Sequence, residues 1–149
     1  MDTGAAAIAH CGQLADAAVA ALVGSDTVAT LLPACDLTTG QPPARGRSLI
    51  DAGVRIALAS GCNPDSSFTS SMTMIIALAV HLCGLTLAEA VHAATAGGAR
   101  ALRRTDVGAV TVGARADRHV LDAPSHTYLA YRPGMPLTHA VYRNGTRMA

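Results

Sequence analysis

The sequence predicts an α/β chain in two parts: parallel β/α units over residues 1–106, then a small β element over residues 107–149. Three observations carry this. Short apolar runs that end at polar or Gly/Pro turns alternate with Ala-rich helical stretches. The connections between them are short, which suits strands lying parallel with helices packed beside them. From residue 107 onward the texture changes to short strand-like runs with turn signals between them.

Residues 5–10 read as a strand ending at the polar His10. Residues 13–23 are Ala-rich and helical, with Leu14, Ala17, Ala18, Ala21 and Leu22 expected on one face. Residues 27–32 form a second strand, stopped by Pro33. Residues 34–43, with Gly40, Pro42 and Pro43, read as a loop. A short helix over 44–52 closes at Gly53, and residues 54–59 form the third strand. The polar turn-forming segment Ser60-Gly61-Cys62-Asn63-Pro64-Asp65-Ser66-Ser67 follows.

A long helix is expected over about 69–81. The next begins at Thr86, where Thr86-Leu87-Ala88-Glu89 is a capping box, and a third covers 98–103. Residues 108–112, 116–121 and 139–142 read as strands, and Asn144-Gly145 signals a hairpin. A closed barrel of parallel β/α units needs eight strands, and three are present here. A free three-stranded sheet would leave apolar edges open, so the expectation is that upstream strands lie outside this chain.

Composition excludes several classes. Of 149 residues, half are apolar, 14% are charged and the formal net charge is +1. With no basic stripe and only 3% aromatic residues, the chain offers neither a phosphate-binding surface nor a stacking platform for nucleic acid. The most apolar run, residues 72–85, is shorter than the ~20 residues a bilayer demands, so no membrane span is expected. Met1-Asp2-Thr3-Gly4 shows no basic leader, so the expected compartment is the cytoplasm. Cys11, Cys35, Cys62 and Cys83 form no CxxC pair and are expected to be buried free thiols.

Three stretches together resemble the C-terminal half of imidazolonepropionases, members of the metal-dependent amidohydrolase superfamily. Thr27-Val28-Ala29-Thr30-Leu31-Leu32-Pro33 is similar to that family's seventh barrel strand with its LLP ending. Residues 53–67, running Gly-Val-Arg-Ile-Ala-Leu-Ala-Ser-Gly-Cys-Asn-Pro-Asp-Ser-Ser, resemble the eighth strand and its loop, of the form GVxxALxTDxNPGSS. Leu85-Thr86-Leu87-Ala88-Glu89-Ala90 and Ala99-Arg100-Ala101-Leu102 resemble the helices after the barrel. Gly108, Gly113, Ala116 and Asp117 match the entry to the superfamily's small β domain.

The resemblance implies a partial (β/α)8 TIM-type barrel, about strands six to eight with their helices, followed by part of a small β-sandwich. It implies hydrolysis of the cyclic amide of 4-imidazolone-5-propanoate to N-formimidoyl-L-glutamate in histidine degradation. One Zn or Fe ion would activate the attacking water by lowering its pKa. That family holds its metal with a His-x-His pair, a further His and the strand-eight Asp. The strand-one and strand-five histidines would precede Met1. Gly61 occupies the Asp position and has no side chain to ligate with. His10, His81, His92, His119, His126 and His139 contain neither His-x-His nor HExxH. The expectation is therefore that this chain alone binds no metal and is inactive.

By the same resemblance His10 is the strand-six histidine and the catalytic candidate, while Asn63 and Ser66 are substrate-binding candidates. Asp65 puts a negative charge where the substrate's propionate would sit, and like charges at ~4 Å repel by about 1 kcal/mol even in water. The expected partners are a small-molecule substrate and either a missing N-terminal half or a second copy. Two alternatives stand beside this reading: a non-catalytic truncated remnant, and a module that self-associates through its open strand edges.

Overall fold

In the computed structural model, residues 4–149 are described. Val28, Ala29 and Leu31 are fully buried, because their strand has a neighbour on each side. This is β2 (Val28–Leu31), flanked by β1 (Ala7–Ala9) and β3 (Ile56–Leu58) in a parallel sheet of order β1-β2-β3. Ala7 lies beside Val28, Ala29 beside Ile56, and Leu31 beside Leu58. Val28, Ala29 and Leu31, interrupted only by the half-buried Thr30, give the mostly apolar strand that a central position requires.

Helices separate and follow these strands. α1 spans Asp16–Leu22, α2 Pro33–Thr38, α3 Gly46–Asp51 and α4 Met72–Cys83. The Ser71 hydroxyl caps α4 by accepting the Met74 N–H at 3.3 Å, and Ile75, Ile76, Ala77, Leu78 and Ala79 are buried in succession. α5 (Leu87–His92) starts at the expected capping box. Thr86 Oγ1 accepts the Glu89 N–H, and Glu89 Oε2 accepts the Thr86 N–H.

Several expectations need correction. Residues 34–43 are not all loop: Pro33 stops β2 and also opens α2, since its missing N–H is harmless at a first helical position. The expected third helix is not separate. α5 runs through a π-turn, Ala93–Gly97, into α6 (Gly98–Ala101). The first helix starts at Asp16. Of its expected face only Leu22 is buried, while Ala17 and Ala21 are exposed, because alanine's short side chain marks a face weakly. Residues 108–112 form no strand. No described residue pairs with them, and Val110 and Val112 face solvent.

The tail is antiparallel. β4 (Arg118–Leu121) pairs with β5 (Thr138–Arg143), which pairs with β6 (Thr146–Arg147). Asn144 and Gly145 both take positive φ, 50° and 80°, as the tight hairpin turn requires. A short helix not foreseen in the sequence, α7 (Tyr128–Tyr131), buries Leu129 and packs on α4. Its Ala130 carbonyl lies 2.9 Å from His81 Nε2.

Candidate functional site

Parallel strands in register end at one edge of the sheet. β1 delivers His10 there, β2 delivers Leu32 and α2, and β3 delivers residues 60–67. The Ala59 N–H still donates to Leu31 O at 3.2 Å, so the polar bend leaves directly from the carboxyl end of β3. Catalytic groups of parallel β/α proteins project from this edge.

The bend holds itself together. Asn63 Oδ1 accepts the N–H groups of Asp65 and Ser66, each at 2.9 Å. Asn63 Nδ2 donates to Gly61 O at 2.6 Å and to Ser66 Oγ at 2.8 Å. The Asn63 N–H donates to Ser67 O at 2.9 Å, closing the bend. Asn63 and Ser66 are thus in direct contact, with the amide of Asn63 engaged on both its atoms. Thr38 of α2 donates its hydroxyl to Ser66 O, tying the bend to the neighbouring strand's helix.

Cys35 lies beneath. Its thiol donates toward Gly61 O at 3.6 Å, and Ser66 Oγ donates to its sulfur at 3.6 Å. Gly61 has φ +61°, and a Cβ built there would stand 2.6 Å from Cys35 Sγ and 3.3 Å from Leu32 Cδ1. Sequence reasoning missed Cys35 because it fell in an expected loop. The apolar Leu32-Pro33-Ala34-Cys35 run was the available signal. Ser67 Oγ, also in the bend, is buried and has no hydrogen-bond partner among the described residues.

His10 sits just past β1 in the left-handed region, φ 55°, with its side chain exposed. No hydrogen bond joins it to Asn63 or Ser66 among the described residues. Cys62 is exposed, contrary to expectation, because the residue after Gly61 turns outward with the bend. Cys11, Cys35 and Cys83 are buried, and all four thiols are free. Burial pushes the Cys83 thiol up to about 11 and raises that of Cys11, with the Asp36 carboxylate adding to both.

Comparison with known proteins identifies the frame. The amidohydrolase family profile matches residues 2–147. The chain belongs to the amidohydrolase family.

Imidazolonepropionase of Saccharopolyspora erythraea is 56% identical over 152 residues, covering 99% of this amidohydrolase chain and 39% of the relative. That of Mycolicibacterium smegmatis is 59% identical over 145 residues, covering 97% and 37%. The chain thus spans well under half the length of the curated relatives it matches. An adenosine deaminase from Xanthomonas campestris with bound zinc superposes with a TM-score of 0.84 at 25% identity, over 95% of this chain and 36% of that one. Atrazine chlorohydrolase TrzN from Arthrobacter aurescens complexed with zinc superposes with a TM-score of 0.79 at 21% identity, over 96% and 36%.

The residues at the strand ends do not fit such an ion. Gly61 offers no donor atom, and the space beside it is filled by Cys35 and Leu32. Among the described residues no three His, Cys, Asp or Glu side chains gather in a metal-binding arrangement.

Proposed function

We propose that this chain is the C-terminal portion of an imidazolonepropionase-type hydrolase and does not catalyse by itself. The observation that carries the reading is its identity of 56% and 59% to proteins named imidazolonepropionase over nearly its full length. On this reading residues 1–106 supply strands six to eight of a (β/α)8 barrel. Residues 107–149 supply part of a composite β-sandwich. The reaction is hydrolysis of 4-imidazolone-5-propanoate in histidine degradation, in the cytoplasm: a water oxygen bonds to the ring carbonyl carbon, the ring C–N bond breaks, and the nitrogen takes the proton. His10 would face the substrate from the first strand, and Asn63 and Ser66 from the bend after the third.

The family's Zn or Fe would be held by residues outside this chain, and no step of the reaction falls to these residues alone. The glycine at position 61, with its neighbouring space filled, favours a second reading in which the site is no longer catalytic. Among the described residues β1 and β3 are the sheet's edge strands, and in either reading the preceding part of the barrel or a second copy would cover them.

The test is to mix the purified chain with a polypeptide made from the part of the M. smegmatis relative that this chain does not match. A one-to-one complex on size-exclusion chromatography with light scattering is expected. A chain that ignores that polypeptide and elutes as a dimer would replace this reading with self-association. Formation of N-formimidoyl-L-glutamate by the chain alone, with added Zn or Fe, would contradict the inactive assignment.

A further inference from the structure

We infer that the strand-end position at Gly61 is closed by Cys35, so that a side chain placed at 61 displaces the Cys35 thiol and loosens the bend unless residue 35 is made smaller. Three observations at one point carry this. The backbone at Gly61 is left-handed, a conformation costly for most side chains, though less so for Asp and Asn. A Cβ there would stand 2.6 Å from Cys35 Sγ, well inside contact distance, with Leu32 at 3.3 Å on the same side. Cys35 is 2% exposed, and its sulfur is engaged by the Gly61 carbonyl and the Ser66 hydroxyl, so swinging it away breaks contacts that hold the bend.

Position 61 has therefore not simply lost a side chain. Cys35, Leu32, Asn63 and Ser66 pack around the glycine as a set. The relevance of this to a metal-ligating carboxylate rests on the proposed function, but the coupling of residues 35 and 61 does not. A carboxylate reinstated by Gly61→Asp alone would displace the thiol and loosen the bend rather than rebuild a ligand position.

The experiment is a double-mutant cycle on the full chain, read by thermal unfolding, with Gly61→Asp, Cys35→Ala and the pair. Gly61→Asp is expected to lower the midpoint by roughly 4–12 °C, by overpacking together with backbone strain. The pair is expected to melt higher than the sum of the two single shifts. Strictly additive shifts, or a Gly61→Asp midpoint equal to the parent's, would overturn the inference. If Gly61→Asp does not fold, a folded double variant supports the coupling and an unfolded one overturns it.

A second readout uses a Cys62→Ser background. Gly61→Ala should make Cys35 markedly more reactive toward a thiol reagent than in the same background with Gly61. Unchanged reactivity would also overturn the inference. Neither readout depends on the substrate or on a partner, so either can fail while the proposed function stands.

Discussion

Gly97 and Gly98 are adjacent glycines in one helical run, and the structure predicts opposite responses to alanine. Gly97 is buried where the π-turn crosses β3, and a Cβ there would stand 2.4 Å from the Ile56 carbonyl oxygen and 3.4 Å from Ala57 Cα. Those are backbone atoms of a paired strand and cannot rotate aside. At Gly98 the nearest heavy atom is Ala93 O at 3.9 Å, an ordinary contact. Alanine gains about 1 kcal/mol over glycine in a helix interior. Overpacking costs about 1–3 kcal/mol, and more where the obstacle is rigid. With this rigid obstacle the cost sits at the upper end of that range, so Gly97→Ala is expected to be destabilised by about 2 kcal/mol net, lowering the midpoint by roughly 4–8 °C in a domain of this size. Gly98→Ala should be neutral or gain up to about 1 kcal/mol. Circular dichroism melts of the two variants beside the parent decide it. Equal shifts, or a Gly97→Ala protein as stable as the parent, would refute the claim that backbone contact with β3 sets the path of this helix.

Three further outcomes follow from local geometry. Thr86→Ala removes the cap hydroxyl that Glu89 reciprocates and should cost about 1 kcal/mol in urea unfolding. The Cys83 thiol is raised from 9.0 to about 11, so above pH 9 the unfolded chain ionises while the folded one stays protonated. Stability is then intact below pH 9 and falls as the pH climbs toward 11, by up to about 3 kcal/mol from this thiol, a decline that Cys83→Ala should reduce to the part that the likewise raised Cys11 contributes in urea titrations at stepped pH. A thiol reagent under native conditions should modify Cys62 fast and Cys11, Cys35 and Cys83 slowly, and four equally fast thiols would contradict their placement.

Much of the α/β part was legible because its signals are local. The apolar run around Val28 marks a central strand. The Thr86–Glu89 box and the Asn144-Gly145 pair are written in adjacent residues. What was not legible depends on contacts between distant residues. Pro33 stops a strand and equally opens a helix, and only the packing of α2 on α4, with Cys35 set under the bend, selects the second role. Residues 108–112 have strand-like composition but no described partner, so pattern alone misleads. At the candidate site, the glycine at 61 was readable, whereas the sulfur filling its side-chain space comes from a residue far back in the chain. His10, Asn63 and Ser66 could be placed at strand ends from the sequence. The engagement of the Asn63 amide within its own bend could not.

Metal content is the most direct test of the strand-end site. The purified chain, saturated with Zn or Fe and then dialysed, should retain well under one ion per chain by inductively coupled plasma mass spectrometry, because Gly61 offers no side-chain donor at the strand ends and no three potential ligands gather among the described residues. One tightly held ion per chain, lost on substitution of His10 or Cys62, would contradict it.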